Sequence, residues 1–180
     1  MTTFDDVAAA LVDVGLVTPE HARVVLDKYA AYDDGPMDAY SVACALEEFG
    51  AAVSVHADDV DDLEESYADV LERATALTGG AVTVTGVRLR EGEFEDGSRD
   101  DVLEFEVNGR AVTVGAEHQS DEYLDHIAAS FAVYELAPGD GRNFRDVLFD
   151  REPGRGYDSI FTLVTDEQAA ELSRRLGLRI

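Results

Sequence analysis

The stretch VLEFEVNGRAVTVG, residues 102–115, decides the fold. Apolar and polar residues alternate on both sides of Asn108-Gly109, and those two residues tolerate the positive φ angles of a type I′ turn. A two-residue turn there sets Val107 against Arg110, Phe105 against Val112 and Leu103 against Val114. Leu103, Phe105, Val107, Val112 and Val114 then share one buried face, and Glu104, Glu106 and Thr113 point to the other. A slip of one residue would carry the carboxylates into the core, so the register is over-determined.

Upstream of this hairpin, Gly79-Gly80 leads into a strand in which Val82 and Val84 have one parity and Val87 and Leu89 the other. That change of parity places a β-bulge at Gly86. A two-residue turn at Asp96-Gly97 would set Leu89 against Glu104, so a longer loop is expected there. Downstream, a helix is expected from about Asp121 to Leu136, with Leu124, Ile127, Phe131 and Tyr134 inward and Pro138-Gly139 as its stop. Strands near 144–149 and 157–164 follow. Ile160, Phe161, Leu163 and Val164 supply apolar residues to both faces, which makes the last strand interior. Thr165 and Gln168 form a capping box for a final helix that turns Ala169, Leu172 and Leu176 inward.

Toward the N-terminus, Thr3 caps a helix in which Phe4, Val7, Leu11 and Val14 recur at helical spacing until Gly15. Thr18-Pro19-Glu20 opens a second helix. A third follows Asp33-Asp34-Gly35-Pro36 and runs to about Phe49; it is apolar on two sides and therefore central in its layer. Ala52 to Val55 reads as a short strand or a linker. Asp58 is the expected cap of a long helix to about Leu77, with Val60, Leu63, Tyr67, Val70, Leu71, Ala74 and Leu77 on its stripe. The chain reads as an α+β fold: an N-terminal helical region, 1–57, then an α+β domain, 58–180, together one compact unit. Its antiparallel five-stranded sheet carries packed helices and is preceded by the helical layer.

Of 180 residues, 39 are acidic and 14 basic, for a net charge of −25. Such a field repels nucleic acid and anionic membranes and attracts basic partners. Lys28 is the only lysine against thirteen arginines, a bias that suits a GC-rich genome, and a high-salt cytoplasm would explain the acidity with no partner at all. Cys44 stands alone, which rules out an internal disulfide and a cysteine-based metal site. The N-terminal residues lack the cationic region of a secretory signal, and no apolar run approaches a membrane span, so the expected compartment is the cytoplasm.

No nucleophile elbow, phosphate loop, dinucleotide fingerprint, EF-hand or CxxC spacing is present. The run His118-Gln-Ser-Asp-Glu122-Tyr-Leu-Asp-His126 carries the best constellation for chemistry. Glu122 and His126 stand four apart on the expected helix and His118 in the loop before it, a set that could hold a divalent metal or move protons. The same spacing is also an ordinary helix pair. Arg142, Arg145, Arg151 and Arg155, in two glycine-containing loops, could grip an anion, or they could pair with the abundant carboxylates. Cys44, His21 and His56 have no recognisable activating partner.

The succession of the Asn-Gly hairpin, the helix YLDHIAASFAVYEL, a strand pair and TDEQAAELSRRLGL resembles small acidic α+β immunity proteins that accompany polymorphic toxins in actinobacteria. The resemblance covers residues 80–180. It implies a one-to-one complex with a toxin domain, such as a nuclease whose phosphate-binding groove the acidic residues would occupy. Three functions are therefore expected in turn. The first is a non-catalytic binding protein that neutralises a basic partner, needs no cofactor, and uses Asp61, Asp62, Glu65, Asp69 and Glu72 on the long helix. The second is a metal-binding protein or hydrolase built on His118, Glu122 and His126. The third is a protein whose acidity is environmental.

Overall fold

The computed structural model describes residues 2–30, 35–57, 60–149 and 158–180. Asp33, Asp34, Asp58, Arg151 and Arg155, which figured in the sequence reading, lie outside them. The fold is α+β, and the described residues form six helices and two antiparallel sheets of three and four strands rather than a single five-stranded sheet. The last two strands, expected beside the hairpin, form part of a separate sheet, and the described residues hold two strands more than the five expected. Ala52–His56 is a strand (β1) and not a linker, and a short strand, Phe94–Glu95 (β3), precedes the long one, Ser98–Val107 (β4). The described residues group into two compact units that interleave along the chain.

The first unit comprises the chain up to Ser54, the stretch from Gly141 to Phe149, and Ile160 to Ile180. Helices α1 (Phe4–Asp13), α2 (Pro19–Tyr29) and α3 (Ala39–Glu48) begin at caps, Thr3, Thr18 and Asp38, whose side chains accept a backbone N–H of the first turn. The small sheet has the order β1-β7-β6, with β6 spanning Asn143–Asp146 and β7 Asp158–Val164. Its middle strand is apolar on both faces: Ile160, Phe161, Leu163 and Val164 are all buried. The final helix α6 (Asp166–Leu176) starts at the Thr165–Gln168 capping box and packs on α1. Val7, Leu11, Leu46, Phe49, Val164 and Leu172 form the centre of this core.

The second unit is built from Val55–Asp140 with Asp158 and Ser159. Strands β2 (Val84–Arg90) and β3 lie along one edge of β4, and β5 (Arg110–His118) along the other. The hairpin has the register the alternation requires: Val107↔Arg110, Phe105↔Val112 and Leu103↔Val114. Asn108 and Gly109 have φ of 51° and 78°. The bulge also lies where the parity changes, since the β2–β4 register shifts between Thr85 and Arg88 and Gly86 has φ 66°.

The Asp96-Gly97 connection differs from expectation. It is a two-residue turn, with Glu95 opposite Ser98 and φ values of 52° and 94°. Leu89 nevertheless faces Leu103 rather than Glu104, because the chain between Arg90 and Phe94 absorbs the offset.

Two helices cover the apolar face of this sheet: α4 (Leu63–Leu77) on β2, and α5 (His126–Tyr134) on β5, with α4 and α5 also packed together. Leu63, Tyr67, Val70, Leu71 and Ala74 of α4 are buried, as the stripe requires. The second helix reverses its expected face. Asp125, and not a residue near Asp121, is its cap, accepting the N–H groups of Ile127 and Ala128 at 2.9 and 3.2 Å. The segment before it is turn and bend rather than helix, with Val60 N–H donating to the Glu122 carbonyl and Leu124 N–H to that of Ala57. Ala128, Ala129, Ala132 and Val133 turn inward, while Ile127 and Phe131 are more than half exposed. This sequence is apolar around its whole circumference, so periodicity cannot choose the phase; the small residues let the helix sit close to its neighbours.

Candidate functional site

The amino end of α4 concentrates negative charge. Asp62 is extended, with φ −148°, and its carboxylate accepts the Glu65 N–H at 2.9 Å. That bond starts the helix at Leu63 instead of directly after Asp58. Asp61, Asp62, Glu64 and Glu65 are exposed there, at the positive end of the helix dipole, which stabilises carboxylates locally. They border a hollow of about 480 Å³ whose other walls are Leu63, Leu89, Glu91 and Asp121. Among the described residues, six carboxylates line it and no lysine or arginine does. The Glu64 carboxylate accepts the Leu89 N–H at 2.8 Å, which ties the helix to β2. Just outside the lining, Arg99 approaches Glu91 at 3.5 Å and Asp121 at 3.0 Å.

A second, open groove of about 390 Å³ has Asp61, Asp62, Glu65, Asp69, Arg73 and Leu124 on its walls. Of the five acids singled out from sequence, Asp61, Asp62 and Glu65 therefore border both hollows. Asp69 borders only the second, where it pairs with Arg73 at 2.8 Å. Glu72 is exposed but borders neither. Glu64, Glu91 and Asp121 complete the first hollow. Nothing in the sequence links residues 64, 91 and 121; the packing of α4 on β2 brings the first two together, and the Val60–Glu122 backbone bond and the Arg99–Asp121 ion pair bring in the third.

A different polar cluster lies inside the same unit. The strand alternation that buries Leu103 and Phe105 also points Asp101 inward, and the one that buries Val112 and Ala116 does the same for His118. The register puts Asp101 opposite Ala116 and hence diagonal to His118. The Asp101 carboxylate lies 2.8 Å from His118 Nδ1, and His118 Nε2 lies 3.0 Å from the Tyr67 hydroxyl of α4. Exposures are 2%, 1% and 0% for Asp101, His118 and Tyr67.

The carboxylate selects the tautomer with a proton on Nδ1, leaving neutral Nε2 to accept from Tyr67. The Asp125 carbonyl, 3.5 Å from the same hydroxyl, is the weaker acceptor. Asp101 further accepts from Arg99 Nε and from the Gly92 N–H, at 2.9 Å each. Burial, then the negative charges of Asp125 and Asp101, push the Tyr67 phenol well above its usual range.

The order acid, imidazole, hydroxyl repeats that of a catalytic triad. Here the hydroxyl is a fully buried tyrosine held protonated, and a catalytic group must reach substrate. The cluster instead pins β4, β5 and α4 together. It also takes His118 away from the metal constellation considered above. Both its ring nitrogens are engaged, Glu122 falls outside α5, and His126 is the first residue of that helix, so the i,i+4 relation does not exist. Among the described residues no three His, Cys, Asp or Glu side chains gather closely enough to hold a metal ion.

The remaining candidates have structural surroundings. Arg145 pairs with Asp166, His21 Nε2 lies 3.1 Å from the Phe49 carbonyl, and Cys44 is half-buried on α3. No described helix is long and apolar enough to cross a membrane. The chain matches no protein-family model, no curated protein and no solved structure.

Proposed function

We propose that this chain is a non-catalytic binding protein that neutralises a basic protein partner through the carboxylates at the amino end of α4, in the manner of an immunity protein blocking a toxin domain. The observation that carries this reading is the hollow walled by Asp61, Asp62, Glu64, Glu65, Glu91 and Asp121, with no lysine or arginine among the described residues of its lining. Arginine forks and lysine ammonium groups fill such a site with charge-assisted hydrogen bonds. The surrounding field of a −25 molecule adds long-range steering. The observed hairpin, α5, β6–β7 pair and α6 follow the order on which the resemblance to immunity proteins rests.

The test is binding of a fluorescent lysine–serine repeat peptide, read by anisotropy at rising ionic strength. Affinity should fall by about tenfold or more as the Debye length shrinks from about 10 Å to about 3 Å. The double reversal Asp61→Lys/Glu65→Lys should abolish binding at every salt concentration. Affinity that ignores both salt and charge reversal sinks the proposal. In the cell, a basic chain encoded beside this one should co-purify with it one-to-one and lose its toxicity in its presence.

A further inference from the structure

The outer face of α5 has no role in the fold so far described. Four of the seven exposed large apolar side chains among the described residues fall between residues 123 and 134: Tyr123 at 49%, Ile127 at 56%, Phe131 at 58% and Tyr134 at 37%. Single exposed apolar residues need no explanation, whereas a cluster does. Ile127, Phe131 and Tyr134 follow one another at i, i+4 and i+7, so they share a helical face, and Tyr123 is exposed in the turn just before the cap. Together they expose about 400 Å² of mostly apolar surface, within the range in which the largest patch on a protein is often functional. Leu124, between Tyr123 and this helix, lines the groove that holds Asp61, Asp62, Glu65 and Asp69. The turn that precedes α5 therefore borders the carboxylate groove, bound to it by the Val60–Glu122 and Leu124–Ala57 backbone bonds, and the cap end of the stripe lies nearest the acids.

We propose that this stripe is the apolar anchor of the same interface. It takes the apolar side chains of a cationic amphipathic segment whose basic residues reach the α4 carboxylates. The inference rests on the function proposed above and adds the chemistry of the partner. Charge selects this occupant. A second copy of a molecule carrying −25 would meet strong self-repulsion, and an anionic membrane would be repelled as well. Area points the same way: a stable interface needs about 800 Å² per partner, roughly twice what the stripe exposes. The rest must come from the adjoining carboxylate surface, which only a cationic partner satisfies.

The experiment compares two labelled peptides of equal positive charge on the full chain, an amphipathic leucine–lysine helix and the lysine–serine repeat. The leucine–lysine peptide should bind about tenfold more tightly, as expected for apolar anchors at the centre of an interface. Ile127→Ser/Phe131→Ser should bring it down to the level of the lysine–serine peptide with the circular dichroism spectrum unchanged. Tyr123→Ser/Ile127→Ser, half of it outside the helix, gives a second route to the same loss. Equal binding of the two peptides, or no effect of either double variant, overturns the inference and leaves the acidic site standing. If neither peptide binds, the proposed function itself falls. A dimer in sedimentation velocity that Ile127→Ser/Phe131→Ser dissolves would show a second copy as the occupant, and would also overturn it.

Discussion

Asp101 receives His118 Nδ1, Arg99 Nε and the Gly92 N–H on two buried oxygens. Glycine is required at 92, because a Cβ there would stand 2.3 Å from the Asp100 carbonyl oxygen. Replacing Asp101 by alanine leaves the buried His118 imidazole without its acceptor and takes from Arg99 the buried one of its three carboxylates. Loss of one partner of such a group costs about 3–5 kcal/mol, and denaturant unfolding of Asp101→Ala should show a deficit of that size. Tyr67→Phe removes only the hydroxyl and leaves His118 Nε2 without its donor, which costs about 1–3 kcal/mol. The phenol also sets a pH dependence. Its folded-state pKa lies above the ordinary value of 10.0, so its contribution is complete below that pH. The contribution drains as pH rises toward the folded value, because the unfolded chain ionises first. Stability should therefore fall above about pH 10, and part of that fall should be missing in Tyr67→Phe.

Among the helices, α4 has an N-cap that is also a candidate contact. The two roles of Asp62 separate by substitution. Asparagine keeps an acceptor for the Glu65 N–H and removes the charge, whereas alanine removes both. Asp62→Ala should lose about 1 kcal/mol of stability together with affinity for a lysine-rich peptide. Asp62→Asn should lose affinity while melting close to the parent protein. Equal affinity for Asp62→Asn and the parent would remove Asp62 from the contact set. Packing, and not the cap, orients α5. Asp125 caps the helix four residues beyond Asp121, so Leu124 packs from the turn before it, while Ala128, Ala129, Ala132 and Val133 face the neighbouring elements and leave Ile127 and Phe131 outward. The expected core face thus becomes the stripe proposed as an anchor.

For the whole molecule, salt should act on folding and binding with opposite signs. Screening relieves the mutual repulsion of 39 carboxylates, so added salt should raise the melting temperature modestly. The same screening weakens attraction to a basic partner. A protein acidic only for its environment would unfold at low salt and recover in molar KCl; a partner-binding protein stays folded and binds most tightly at low salt. Thermal scans and peptide titrations over one salt series measure both.

Local chemistry settled much of this structure in advance. The Asn-Gly turn, the bulge at Gly86, the caps at Thr3, Thr18 and Thr165, and the alternation of β4 and β5 are each decided by residues close in sequence. The inward positions of Asp101 and His118 were equally legible, because they continue the same alternation, but polar residues beyond an apolar run do not announce burial. Tertiary packing alone decided the rest. The phase of an all-apolar helix, the division into two sheets and the meeting of Glu64, Glu91 and Asp121 depend on contacts between residues far apart in the chain. A hydrophobic pattern states which residues leave water; it does not state which neighbours they leave it for.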